Sequence, residues 1–266
     1  MPSIKRGRKL RKIYIGLVLL LLFLPIFILV AFSFNESKLN VVFTGFTFDW
    51  YTRLFSNTEL LDAFKNTILI AVLSTSISTV IGVLSAVGLK KFRFRGHAFI
   101  DKLIYIPIVI PEIVLGIALL SVFTLANLEL GFWTVLLAHI SFSVPFVITS
   151  VRSTLYSLPK HVESAAADLG ANRFQIFWRL TLPLIWPGIV SGALLAFTLS
   201  MDDVVVSYFS AGPGTNTLPL YIYANIKTGI SPDVNALTSI MLVITVITLT
   251  LSAHFQTKRA LRKAER

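Results

Sequence analysis

Six apolar runs, at residues 13–34, 64–89, 99–126, 132–151, 184–209 and 236–255, constrain this chain more than any motif in it. A helix of about 20 apolar residues crosses a hydrocarbon core of ~30 Å, and each run meets that length. Hydrophobic residues make up 55% of the chain and charged ones only 14%, too little polar surface for a water-soluble domain of this size. The expected fold is therefore an all-α integral membrane protein with six transmembrane helices. The first run is too long for a cleaved signal peptide and lacks a small-x-small site after it, so it is expected to remain as a span. Pro107, Pro111 and Pro187 fall inside runs three and five, where kinks are expected.

Lys and Arg set the orientation. The N-terminal tail, the second and fourth loops and the C-terminal tail together hold 19 of them, against four in the alternate loops (Lys38, Arg53, Lys65, Lys227). Both termini are expected in the cytoplasm. The net charge of +11 then reads as a topology signal beside anionic headgroups, and nucleic acid is not an expected partner. With no cysteine, thiolate chemistry, disulfides and Cys-based metal sites are excluded.

The organisation follows from the spans. Residues 1–12 and 257–266 are basic cytoplasmic tails, and 13–63 hold the first span and an external loop rich in aromatics. Residues 64–256 form a five-span core. Within it lies an amphipathic island at 160–183, much longer than a plain linker needs. An Ala-rich helix is expected there, closed by Gly170 in a left-handed conformation. Asn172 then caps a second short helix that presents Phe174 and Phe177 and stops at Pro183. The small Ala165 and Ala166 permit close approach, and Phe174, Phe177 and Trp178 offer anchors to a partner's groove. No Gly-x-x-x-x-Gly-Lys-Ser/Thr stands anywhere in the chain, so it has no phosphate-cradling loop of that type.

Carboxylates inside spans are costly and mark pathways. Glu112 follows Pro111 in the third run, and Asp202 and Asp203 lie toward the outer end of the fifth. Adjacent helical residues point about 100° apart, so the Asp pair cannot face one pore unless the helix breaks there. A capping box at Ser200-x-x-Asp203 is the competing expectation. His139, in the fourth run, is expected as a buried, hydrogen-bonded histidine or as a partner for Glu112. An acid-lined path implies a cationic substrate, with protons, metal ions and organic amines all open at this stage.

Ala165-Ala166-x-x-x-Gly170, with Asp168, Leu169 and Ala171 and the closing Leu180-x-Leu182-Pro183, resembles the cytoplasmic EAA loop of ABC importer permeases. The one departure is Ser164, where the family pattern has Glu; Glu163 stands one residue earlier. The stretch 199–237, LSMDDVVVSYFSAGPGTNTLPLYIYANIKTGISPDVNAL, resembles the PotC-type permease subunit of spermidine/putrescine importers, as do Gly45-Phe46-Thr47 with Trp50-Tyr51 and Gly131-Phe132-Trp133. The resemblance covers nearly the whole chain beyond its N-terminal tail. It implies a type I ABC importer permease in the cell (inner) membrane, forming half of the translocation path for polyamines. It further implies a second related permease subunit, two cytoplasmic ATP-binding subunits that hold ATP and Mg, and an extracytoplasmic polyamine-binding protein. No cofactor is expected on this chain, and no catalysis.

By the same resemblance Trp50, Glu112, Asp202 and Asp203 become substrate contacts. Glu163, Ala165, Ala166, Asp168, Gly170, Phe174, Phe177, Leu180 and Pro183 become the ATPase-coupling set. An ABC permease for another solute and a cation-coupled secondary carrier are the alternatives.

Overall fold

The computed structural model describes residues 2–38, 42–159, 161–226 and 231–264; the side chains of 2–10, 248, 249 and 251–264 are outside it. The C-terminal basic tail, most of the N-terminal one, Lys160 and Lys227 therefore lie outside the described side chains. Among the described residues every regular element is helical, with one isolated bridge between Asn35 and Phe46. The chain divides into two compact units, Met1–Leu61 with Asn225–Arg266, and Asp62–Ala224.

The first unit holds α1 (Pro2–Phe32), α2 (Asp49–Leu54), the start of α3 (Thr58–Lys91) and α13 (Pro232–Ala264). From Arg11 to Phe32, α1 is apolar on every side and buries none of its most apolar window, the pattern of a helix solvated by lipid. After it the chain is held by polar ties. The Asn35 side chain donates to the Val42 carbonyl and accepts from the Thr44 amide, both at 2.9 Å, while its backbone carbonyl receives the Trp50 indole N–H at 2.6 Å. Asn57 accepts from the Leu60 amide at the start of α3 and donates to Asp233 in the first turn of α13 (2.6 Å).

The second unit is built around α7 (Phe132–Ser157), the most buried of the long apolar helices. The rest of α3 runs parallel to it. Gly82 lies against Val147 and Lys90 Nζ donates to the Leu155 carbonyl at 2.9 Å, the same offset of 65 residues in both pairs. On the other side α10 (Leu182–Asp202) runs antiparallel: Gly188 meets Thr154, Gly192 meets Ser150, and Ser200 meets His139. Small residues let these backbones approach where lipid supplies no hydrophobic drive for helices to associate. Ala86, Val147, Val151, Leu155, Ile185 and Ile189 fill the core between the three helices.

The remaining elements correct the expected spans. The third run is not one kinked helix. It forms α4 (His97–Leu103) and α5 (Ile106–Val109), then α6 (Glu112–Leu125), with a bend of 112° between the two arms. Ile110 and Pro111 are both extended, because a proline cannot take an interior hydrogen bond and forces its predecessor out of the helical region. At 1.5 Å per residue the 14 residues of α6 reach only about 21 Å. The fifth run stops at Asp202, and α11 (Val205–Ser210) is a separate turn. That span begins earlier than expected, running Arg173–Asp202 through α9 (Arg173–Ile176), a π-helical turn at Phe177–Thr181, and α10.

Four helices among the described residues are long and apolar enough to span, or five counting the bent pair. The sixth expected run lies in α13, of which Pro232–Ile247 is apolar. The second span starts at Thr58, so the expected external loop is shorter by one helical turn and more. The loop after α11 contains a short helix, α12 (Leu218–Asn225).

The α3–α7 contact is testable by overpacking. A Cβ at Gly82 would come within 2.5 Å of Val147 Cγ1. Gly82→Ala should therefore destabilise the detergent-solubilised protein by about 1–3 kcal/mol in a denaturant titration. Adding Val147→Ala should recover part of that loss. A single substitution without effect would show that the two helices separate freely here.

Candidate functional site

The two backbone breaks meet at one cavity of about 310 Å³, bounded by the α5–α6 break, Phe142 and Phe146 of α7, and the α10–α11 break. Glu112 and Asp202 both line it and both are exposed. Their settings are opposite. Glu112 is the first residue of α6, where the helix dipole favours a negative charge; Asp202 is the last residue of α10, where the dipole opposes one. Among the described residues neither carboxylate has a hydrogen-bond or ion-pair partner.

Asp203 also borders the cavity, but its carboxylate is buried and bonded within the protein. Its Oδ1 accepts from the Val206 amide (3.1 Å), and its Oδ2 accepts from the Ser207 amide (2.7 Å) and hydroxyl (2.8 Å). It therefore caps α11 itself. The expected capping box on Ser200 does not form: Ser200 instead meets His139 Nδ1 at 2.7 Å and accepts from Ser74 at 3.2 Å. His139 is 1% exposed, bonds Ser207 through Nε2 at 3.0 Å, and lies 3.4 Å from Asp203 Oδ2. The buried-histidine expectation is the one observed, and the partner is Asp203 rather than Glu112. The helix break at Asp203 thus divides the adjacent pair: Asp202 stands exposed at the cavity, while the Asp203 carboxylate, at its edge, is bonded within the protein.

Trp50 belongs to the first unit and is 5% exposed. Its indole N–H is bonded to Asn35, and the Arg53 guanidinium sits 5.0 Å from its ring centroid. A residue expected to offer an open aromatic face is already committed on its own loop.

The island folds as a two-helix knob. α8 (Val162–Asp168) ends in a Schellman arrangement, with the Gly170 amide donating to Ala167 (2.9 Å) and the Ala171 amide to Ala166 (3.1 Å). Gly170 has φ +86°, a conformation that any side chain strains. Asn172 caps α9 as expected, in a reciprocal pair with Gln175 at 2.8 and 3.0 Å. Ala165 and Asp168 are exposed and Ala166 half-buried; Phe174 (71%) and Trp178 (52%) point outward. Phe177 packs inward against the core, and Leu180 is half-buried. The most exposed apolar side chain of the knob is Leu169, at 90%, an aliphatic residue outside the expected aromatic anchors. Pro183 does not stop the helix. It sits in the first turn of α10, just after the π-helical turn has interrupted the regular ladder.

Glu163 joins the knob to the rest of the unit, with Oε2 3.2 Å from Lys91 Nζ and Oε1 accepting from Thr181 at 2.7 Å. Burial alone would raise its pKa, but the hydrogen bonds from Thr181 and Lys91 and the charges of Lys91 and Lys90 more than offset that. The carboxyl is held below its ordinary value. Sequence reasoning also missed the ion pair between Asp101 of α4 and the buried Arg152 of α7, since Arg152 reads as a loop charge.

Apolar helices with two breaks around an acid-lined cavity, joined to a capped two-helix knob, define a membrane permease subunit. The family of binding-protein-dependent transport system inner membrane components matches residues 78–265, and the chain belongs to it. It is 43% identical over 241 residues to the spermidine/putrescine transport system permease protein PotC of Escherichia coli (strain K12), covering 91% of each. It is 38% identical over 228 residues to the putrescine transport system permease protein PotI of the same organism, covering 83% of this chain and 81% of that one. The fold is shared with a chain of a bacterial ABC transporter involved in the import of the acidic polysaccharide alginate. There the TM-score is 0.72 at 19% identity, over 95% of this chain and 98% of that one. The protein is thus a multi-pass permease subunit of a binding-protein-dependent ABC importer, with ATP hydrolysis on a separate subunit.

The two aspartates should separate stability from transport. Asp203→Ala removes a cap and leaves the Val206 and Ser207 amides and the Ser207 hydroxyl without their acceptor, and should lower stability in detergent by roughly 1–3 kcal/mol. Asp202→Asn should leave stability within about 0.5 kcal/mol of the unsubstituted chain. Equal melting behaviour of the two variants would contradict the division of roles.

Proposed function

We propose that this chain forms half of the translocation path of an importer for the polyamines spermidine and putrescine. The observation that carries the reading is the pair of exposed carboxylates, Glu112 and Asp202, facing one cavity with no partner among the described residues. Each can take an ammonium group through charge-assisted hydrogen bonds, while Phe142 and Phe146 line the cavity for an alkyl chain. The permease relatives named for spermidine/putrescine and putrescine transport support the same class of substrate. Asp203, with His139, holds the break that presents Asp202. Trp50 holds the loop after α1.

In this reading both termini and the knob are cytoplasmic, as the distribution of Lys and Arg requires. Two ATP-binding subunits carry ATP and Mg, one of them docking on the knob through Leu169, Phe174 and Trp178. Closure of the ATPases displaces the knob and turns the cavity from one side of the membrane to the other. A polyamine-binding protein delivers substrate from outside, and a second related permease completes the path.

The test is ATP-dependent uptake of labelled spermidine by vesicles holding this chain with its partner permease, ATPases and binding protein. Saturable uptake is expected. Asp202→Asn or Glu112→Gln should raise the half-saturating concentration roughly 10- to 100-fold, the equivalent of about 1.5–3 kcal/mol for one charged hydrogen bond. An intact complex that hydrolyses ATP but takes up neither spermidine nor putrescine would overturn the substrate. Gly170→Asp, which forces a side chain into the left-handed turn, should leave the protein in the membrane and abolish transport. Normal uptake with that substitution would sink the coupling role of the knob.

A further inference from the structure

The knob is attached to the core in an unexpected way. α8 buries none of its seven residues, so apolar packing does not fix it. What ties it down is Glu163, whose two oxygens reach two different elements: Lys91, the last residue of α3, and Thr181, the last residue of the π-helical turn that leads into α10. Thr181 is 1% exposed, so its hydroxyl cannot swing away to water. One residue before Lys91, Lys90 binds the Leu155 carbonyl of α7, so the end of α3 is linked to the knob and to the central helix at adjacent positions.

Space lies on both sides of this link. A cavity of about 270 Å³ is lined by Glu163, Thr181 and Lys90, and another of about 650 Å³ by Glu163, Lys91 and Arg173. Ser164 borders the larger cavity too, but it is exposed, and among the described residues its hydroxyl donates to the carbonyl of His161 (3.0 Å) and reaches neither α3 nor α10. Neighbouring positions on a helix differ by about 100°, so a carboxylate at 163 in place of 164 is aimed at Lys91 and Thr181, which Ser164 does not reach.

We propose that Glu163 is an internal strut rather than a docking contact. Through Lys91 and Thr181 it carries displacement of the knob to α3 and α10, and thereby to the cavity. It is a positioning residue for transport. The proposal rests on the ABC-importer assignment and on docking of the ATPase at the knob; it does not depend on the substrate.

The test uses the complete importer in vesicles and reads docking and transmission separately. The chain has no cysteine, so Ile108→Cys in the cavity wall gives a single labelling site on it whose reactivity reports ATP-driven opening without any substrate. Glu163→Gln, nearly isosteric, should keep the ATPase subunits bound and hydrolysing ATP. The ATP-driven change in labelling rate should fall about tenfold, within the range of ordinary site-to-site couplings. Lys91→Glu alone should do the same, and Glu163→Lys combined with Lys91→Glu should restore most of the response.

Loss of the ATPase subunits from Glu163→Gln would make Glu163 a docking residue and overturn the strut. So would an unchanged ATP response, or a charge swap as impaired as its single variants. Leu169→Asp checks the docking reading on its own: release of the ATPase sustains it, and retention sinks it whatever the Glu163 variants do.

Discussion

Lipid cannot accept a hydrogen bond. A backbone amide or a polar side chain within the spans must therefore be satisfied by the protein or open onto a wet cavity. The two breaks of the second unit obey this in complementary ways. At Ile110–Pro111 a proline removes the donor, and the freed segment borders the cavity. At Asp203–Val204 a carboxylate accepts the first amides of the new helix. The polar cluster of Ser74, His139, Ser200, Asp203 and Ser207 is the cost of the second break, paid inside the core where three helices meet.

Those helices can meet because their contact faces are small. Gly82 of α3 and Gly188 of α10 admit α7 so closely that an added Cβ would come within 2.5 Å of a side chain, and Gly192 of α10 is nearly as tight at 3.1 Å. The central helix thereby touches everything that matters for transport within its unit: His139 near the cavity, Arg152 paired with Asp101, and the Leu155 carbonyl bound by Lys90 beside the knob.

Much of this was legible in the residues. Membrane-length apolar runs, the asymmetry of Lys and Arg and the Gly170–Asn172 punctuation report directly on hydrophobic burial and local caps, which depend on short stretches of chain. The breaks were legible only in part. Pro111 and the Asp pair announced trouble, but whether a helix kinks or turns by 112° depends on what packs against it. The division of labour between Asp202 and Asp203 was beyond sequence reasoning, because it depends on a histidine more than 60 residues away. The same holds for Trp50, whose indole is claimed by a backbone carbonyl that no pattern reveals. Phe177 and Leu169 exchanged places for a similar reason: aromatic character marks an anchor, but Phe177 opens the π-helical turn and packs against the core, while Leu169 caps α8 and faces out.

The opposite placement of Glu112 and Asp202 has a mechanical corollary. One begins a helix and the other ends a different helix, each beside the break in its own backbone. Any cation that engages both is a removable cross-link between two otherwise separate levers. Loading would stiffen the hinge region and departure would loosen it, so the cargo itself would set how easily the cavity changes shape.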